Sequence, residues 1–482
     1  MIIFNNGKYK SLYAAEPNEL QQIAETVAQD QDYRPIYHLA PPTGLLNDPN
    51  GLLFDGEKFH VFYQWFPFDA LHGMKHWKHF TTTDFHHFQA ADDLIPCELF
   101  ESHGCYSGGA LLVGEQIAVF YTGNTRRTAD NQRVPYQNLA IFSKDGRLIS
   151  KRPLLHQAPK GYTEHVRDPK PFKTTDGKIR FVCGAQREDL SGTALVFEMN
   201  DLKDTPRLLG ELQVAAFDNR HVFMWECPDL FHSSQMKQDI FIWSPQGKPR
   251  EAHQYQNNYH ATYALGKLNA LNFEAEYIDE LDQGFDFYAP QTFSGVETIM
   301  LAWCGLPDLT YPTDVYKWHS MLTLPRRLNI ENRRIYQKPI EKIYQKMTAL
   351  STITLENITE IADLDRAYIK FDAQTQPFEL HFFSNDKAQQ LRLTYDGNLL
   401  CLDRAQSEQT DLMRQFGAQR YCEINALSEV EIFFDRSIVE IFLNHGEKVM
   451  TSRFFIAQRQ NQIRTNRPLT MQIGYPAPIE YK

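Results

Sequence analysis

The chain has 482 residues, 42% of them hydrophobic and 13% aromatic, more length than one domain needs and core material for two. Its formal charge of −11 argues against nucleic acid or an anionic membrane as a partner, and no run approaches the roughly 18 apolar residues of a membrane span. Seven cysteines, an odd number without a Cys-x-x-Cys pair, fit free thiols in a reducing cytoplasm better than a disulfide framework or a zinc site.

The first residues, Met1 to Lys8, lack the basic segment and apolar run of a secretory leader. Residues 16–31 read as a helix. Pro17 suits a first turn, Glu19 lies near the positive end, and Leu20, Ile23, Ala24 and Val27 share one face. This extension, residues 1–35, is expected to cap the outside of the next domain. From 36 to 337 the chain alternates short apolar strands with turns, as in Gly51–Phe54, Asp55-Gly56, Phe59–Tyr63. Five such hairpins each follow a short polar phrase: Asn47-Asp48-Pro49, Tyr106-Ser107-Gly108, Arg167-Asp168-Pro169, Glu226-Cys227-Pro228 and Tyr288-Ala289-Pro290. With Gly108 as the counterpart of the prolines, the markers are 59, 61, 59 and 62 residues apart. A near-regular period of this kind marks a repeat architecture. About 60 residues hold four strands, so the pattern predicts an all-β, five-bladed β-propeller whose innermost strands face a central channel. Residues 338–351 read as a linker with a short helix. Residues 352–482 return to alternating strands, among them Phe378–Phe383, Val430–Phe434 and Ile438–Leu443, and predict a β-sandwich.

Three of the five phrases carry a carboxylate: Asp48, Asp168 and Glu226. Cleaving a glycosidic bond with retention needs one carboxylate to attack the anomeric carbon and one carboxylic acid to protonate the leaving oxygen, about 5–5.5 Å apart. Asp48 sits in a turn-rich phrase that suits a rigid nucleophile. Glu226 lies between Trp225 and Cys227, surroundings able to keep it protonated as the acid. Asp168, beside Arg167, is expected to stay ionised and to grip hydroxyls. One irregularity stands out: Asp48 and Asp168 directly precede their prolines, whereas Glu226 lies two before Pro228. In a strand that offset would turn the side chain to the other face.

Asn47, Gln64, Trp77, Tyr106, Ser107 and Arg167 are further candidates for holding substrate, with Tyr288 and Trp303 as stacking surfaces for a sugar. Each has a plainer reading. Asp-Pro and Asn-Gly make turns wherever they occur, and aromatics on blade strands are commonly core. His72, His76, His79, His86 and His87 match no zinc spacing and no Gly-rich phosphate loop is present, so neither a metal nor an organic cofactor is expected. Cys227 lacks a histidine partner and reads as a packing residue. Lys75, Lys78, Arg126 and Arg127 are nearby basic groups, each reading first as solvated surface charge.

Taken together these phrases resemble glycoside hydrolase family 32, the invertase and fructanase family, over nearly the whole chain. His38 to Gly51 resembles its nucleophile segment, which implies Asp48 as nucleophile. Arg167-Asp168-Pro169 resembles its transition-state motif, with Asp168 on fructosyl hydroxyls, and Trp225-Glu226-Cys227-Pro228 its acid/base motif, implying Glu226. Phe285 to Thr292, Leu324-Pro325-Arg326 and Asp435 to Glu440 also look like family signatures. Leu45-Leu46 stands where many members have Trp-Met, and Tyr106-Ser107-Gly108-Gly109 where Phe-Ser-Gly-Ser is common, departures that bear on subsites rather than on reaction type. The resemblance implies a β-fructofuranosidase acting on sucrose 6-phosphate, sucrose or short fructo-oligosaccharides, with a small carbohydrate as its partner. Two other readings stay open: an inverting propeller glycosidase acting on arabinan or xylan, and a propeller that only binds carbohydrate. The sandwich could serve stability, an auxiliary sugar contact or a homo-oligomer.

Overall fold

Each expected hairpin forms in the computed structural model, which describes residues 1–482. Strand Gly44–Phe54 pairs with Phe59–Phe66, Cys105–Val113 with Gln116–Arg126, and Tyr162–Lys173 with Ile179–Arg187. Met224–Ser233 pairs with Gln238–Gln246, and Tyr288–Phe293 with Val296–Trp303. Two further strands complete each antiparallel sheet, and the five sheets are the blades of a propeller. The first blade takes two additional strands from far along the chain. Trp318–His319, from an excursion of the fifth blade, runs parallel to Gly44 and Leu45 on its inner edge, and Glu480–Tyr481 runs parallel to His87 and Phe88 on its outer edge. The chain's last residues therefore leave the sandwich and finish on the propeller.

The N-terminal helix is shorter than its apolar pattern, covering Glu19–Val27. Asn18 precedes it with φ of 65°, a left-handed conformation that cannot belong to the helix, so Pro17 stays outside. Only Val27 of the expected face is buried, while Ala24 is exposed, so the helix rests shallowly on its neighbours. After the short helix Glu341–Gln345, two six-stranded antiparallel sheets form the sandwich.

One continuous apolar core joins the two halves, with Leu46 and Phe293 of the propeller in the same cluster as Phe433 and Phe442 of the sandwich. Through it runs a buried ionic seam. His38 lies between Asp435 and Glu440, each at 2.9 Å from a ring nitrogen. Arg326 bridges Glu440 at 2.5 Å and Asp282 at 3.1 Å, and Arg404 reaches Asp286 at 2.7 Å. Asp286, Arg326 and the phrase Asp435 to Glu440 meet at this seam, whereas Tyr288, from the same phrase as Asp286, faces the channel. Ions so placed cost desolvation, and they hold only because every one is paired.

Burial alone would lower the basicity of His38, but its hydrogen bonds to Asp435 and Glu440 prevail and raise it to about 9. A folded-state value above the ordinary one near 6.5 contributes stability that is complete below about pH 6.5 and is lost as pH rises through about 9, on the order of 3 kcal/mol in all. Thermal melts should therefore fall between pH 6.5 and 9.5, and His38→Gln should flatten that slope. A variant that keeps the wild-type slope would remove His38 from the account.

Candidate active site

The five polar phrases stop their strands from pairing regularly. Opposite Gln64, both Asn47 and Asp48 are out of ladder register, and comparable shifts fall between Tyr106 and Gly108, Arg167 and Lys170, Glu226 and Asp229, and Tyr288 and Gln291. Proline cannot donate to a ladder, so Pro169, Pro228 and Pro290 suit such bulges. The residue before each is left-handed: Asp168 at φ 65°, Cys227 at 48° and Ala289 at 48°. Non-glycine residues in that region cost roughly 1–3 kcal/mol and gather at functional sites. In the second blade Gly108 takes the proline's place, since a Cβ there would lie 1.9 Å from the Phe120 carbonyl oxygen.

These bulges account for the offset at Glu226. Its counterpart is Arg167, not Asp168, and both correspond to Tyr288; Asp168, Cys227 and Ala289 form the next tier. The first tier joins up directly. Arg167 donates to Glu226 Oε1 through Nε at 3.0 Å and Nη2 at 2.6 Å, and the Tyr288 hydroxyl donates to Oε2 at 2.6 Å. In the second tier, the Cys227 amide donates to Asp168 at 3.0 Å.

A cleft of about 310 Å³ at this mouth of the channel is lined by Asn47, Asp48, Gln64, Tyr106, Ser107, Arg167, Asp168, Glu226, Tyr288 and Trp303. All the proposed site residues but one are thus brought together, with every blade contributing. The exception is Trp77, which is fully buried beneath the cleft and donates to the Cys105 carbonyl at 3.2 Å. Its strand alternation turns it into the core of the first two blades.

Asp48 is fixed by a one-way relay. The Lys75 ammonium donates to Asn47 Oδ1 at 2.7 Å, Asn47 donates to Gln64 at 2.5 Å, Gln64 to Ser107 at 2.7 Å, and Ser107 to Asp48 Oδ2 at 2.5 Å. Asn47 also reaches Asp48 Oδ1 at 3.1 Å. Burial raises the Asp48 carboxyl above the usual range, against the Ser107 hydrogen bond and with the help of the Glu226 charge. Burial lowers Lys75 to about 7, so it is no solvated surface charge.

Two sequence expectations about environment change. Arg167 directs its guanidinium to Glu226 and stands 4.0 Å from Asp168. Burial raises the Asp168 carboxyl, with Arg167 opposing and Glu226 reinforcing, so adjacency in sequence does not keep it ionised. Trp225 packs in the core between blades and donates to Asn219 at 2.8 Å, so the groups holding the Glu226 carboxylate are Arg167 and Tyr288 instead. The Cys227 thiol sits 3.7 Å from Asp48 and 3.8 Å from Asp168, and burial and those carboxylates raise it well above its ordinary value.

Of the basic candidates, Lys78 is paired with Asp93 and Arg127 with Asp130, while Arg126 lines the cleft. Lys8, Tyr9, His72 and Arg133 also line it and carry no motif that would reveal them in the sequence. Among the histidines, His76 accepts from the Leu12 amide and His79 stacks on Phe62, whereas His86 and His87 meet Glu480 outside the cleft. A larger cavity of about 650 Å³ lies further along the same inner strands. Between the two, Lys170 donates to the Thr292 carbonyl at 2.5 Å and lies 3.6 Å from Asp229. Asp229, Asp239 and Glu297 line the larger cavity, but all three acids of the repeated phrases, Asp48, Asp168 and Glu226, line the smaller cleft, which is where the chemistry is placed.

Residues 38–339 match the model of the glycosyl hydrolases family 32 N-terminal domain, and residues 333–467 that of the family's C-terminal domain. The chain belongs to glycosyl hydrolase family 32. It is 36% identical over 455 residues to the sucrose-6-phosphate hydrolase of Bacillus subtilis (strain 168), covering 89% of this chain and 91% of that one. It is 34% identical to the sucrose-6-phosphate hydrolase of Vibrio alginolyticus over 93% of this chain and 92% of the other. The solved sucrose-6-phosphate hydrolase from Lactobacillus gasseri superposes with a TM-score of 0.90 at 31% identity, covering 98% and 99% of the two chains. A Bombyx mori GH32 beta-fructofuranosidase gives 0.83 at 29% identity over 96% and 98%. As a member of this family the protein is a glycoside hydrolase with a small carbohydrate substrate. No helix is long and apolar enough to cross a membrane.

Proposed function

We propose that the protein is a retaining β-fructofuranosidase that cleaves the fructosyl bond of sucrose 6-phosphate, sucrose or short fructo-oligosaccharides. The observation that carries this is the division of labour between the acids. Asp48 is held by neutral donors, with both oxygens oriented and no cation bound to it, as a nucleophile must be. Glu226, on the fourth blade, faces the same cleft and is held by Arg167 of the third blade and Tyr288 of the fifth.

Asp48 attacks C2 while the protonated Glu226 gives its proton to the bridging oxygen, releasing the first product and leaving a fructosyl ester on Asp48. Arg167 and Tyr288 stabilise the carboxylate that Glu226 then becomes. That carboxylate takes a proton from water, whose oxygen displaces Asp48 from C2 and restores the starting state. Asp168, within reach of the same sugar, accepts hydrogen bonds from ring hydroxyls, which favour its ionised form as positive charge develops. A cytoplasmic location belongs to the same reading and is supported by seven cysteines that are all free thiols. Carbon-13 NMR of the fructose newly released from sucrose, before it mutarotates, tests the mechanism: β-fructofuranose at early times is expected. Early α-fructofuranose would overturn it in favour of inversion, and the absence of any turnover would favour a binding protein.

A further inference from the structure

Three cations on the rim of the cleft have no carboxylate to balance them. Lys8, Arg126 and Arg133 line it, and none takes part in an ion pair, although the chain carries a net charge of −11. Lys78 and Arg127, basic candidates that do not line the cleft, are both paired, at 3.1 Å and 2.7 Å. Arg126 donates only to the Asn131 carbonyl, at 3.0 Å, and Arg133 lies over the Tyr106 ring at 5.9 Å with one contact of 3.4 Å to His165.

The placement of the two arginines is itself costly. Arg126 and Arg133 are direct partners in the antiparallel pair Gln116–Arg126 and Arg133–Ser143. Like charges directly opposite each other destabilise a sheet pair. A strand end that sets two arginines directly opposite each other, neither paired with a carboxylate and both lining the cleft, gains from an anion that they can share. Arginine forks match phosphate oxygens bidentately. Lys8 arrives from a different part of the chain. It lies in the turn of the hairpin Asn5-Asn6 with Tyr9-Lys10, and its carbonyl is fixed by the Met74 amide at 2.7 Å. This hairpin precedes the segment that matches the family's catalytic domain, residues 38–339.

Asp48 and Asp168 are on the channel side of this cleft, whereas Lys8 is exposed at its rim. On the β-fructofuranosidase reading, on which this step rests, the fructosyl unit occupies the acid end and the leaving group extends toward the rim. We propose that Lys8, Arg126 and Arg133 form a phosphate clamp for a phosphorylated leaving group, and so set the preference for sucrose 6-phosphate over sucrose. Arg167, committed to Glu226, and Lys75, committed to Asn47, are not part of it.

The test compares kcat/KM for sucrose 6-phosphate and for sucrose in the full-length protein and in Arg133→Ala, Arg126→Ala and Lys8→Ala, alongside calorimetric binding of glucose 6-phosphate and glucose. The ratio of the two kcat/KM values is expected to favour the phosphorylated sugar, and to fall by about 10-fold or more in each arginine variant, as for a lost hydrogen bond to a charged group. Arg133→Lys should recover part of that loss. Glucose 6-phosphate should bind more tightly than glucose, with the difference reduced in the same variants. Ratios equal to wild type in all three variants would overturn the clamp, as would equal binding of the two sugars. If the wild type hydrolyses neither disaccharide but binds glucose 6-phosphate through Arg133, the clamp stands and the fructofuranosidase reading falls.

Discussion

Asp48→Ala is expected to lower kcat on sucrose by on the order of 10⁴-fold or more, because the step that forms the covalent intermediate then has no nucleophile. The fold should survive the change. Asp48 is a carboxylate whose burial already disfavours its charge, so removing it takes away a desolvation cost along with two hydrogen bonds. Asn47, Gln64 and Ser107 keep their bonds to one another, and Lys75 keeps its contact with Asn47. The melting temperature is therefore expected to stay within a few degrees of wild type or to rise. Steady-state assays paired with thermal melts separate the two effects. A folded variant with near-normal sucrase activity would remove Asp48 from the mechanism.

Glu226→Gln should divide substrates by what they ask of the acid. For sucrose, whose leaving alkoxide needs a proton, a loss of about 10²–10⁴-fold is expected, the usual worth of a positioned general acid. For fructosyl fluoride, whose leaving group needs none, the first step should be largely spared. The second step still lacks its base, so a burst of about one equivalent of fluoride per enzyme followed by slow turnover is the expected trace. The change also leaves Arg167 facing an amide where it had a carboxylate at 2.6 Å, with only the more distant Asp168, at 4.0 Å, to balance its charge in a partly buried setting. A lower melting temperature is expected for that reason, and activity must be compared below it. Equal losses on both substrates, without a burst, would deny Glu226 the acid role.

The period of the five phrases carried the propeller because a blade repeats its inner-strand chemistry, and that repetition survives in one dimension. The three acids were legible for the same reason. What the period could not convey was which residue of each phrase points inward. Arg167, Glu226 and Tyr288 hold equivalent positions two before their prolines, and the left-handed φ that follows each, at Asp168, Cys227 and Ala289, lets Asp168 face the cleft as well as Glu226. Adjacency in sequence is a poor guide to adjacency in space: Arg167, next to Asp168, turns to Glu226, and Trp225, next to Glu226, turns into the core. Trp77 was misplaced because an aromatic on a blade strand can face the cleft or the core, and pairing geometry decides. Lys8 and Arg133 left no trace in any motif, since a rim assembled from a terminal hairpin and a strand end exists only after folding.

The ionic seam has an evolutionary consequence. His38 stands ten residues ahead of Asp48 on the segment that enters the first blade, and its two partners both belong to the sandwich. A sandwich borrowed from another protein would have to bring acids to those same two points, or leave a buried imidazole and Arg326 stranded. Propeller and sandwich are therefore inherited as a matched pair. Shuffling that replaces one half alone should yield insoluble chimeras, while shuffling within single blades, away from the seam, should be tolerated.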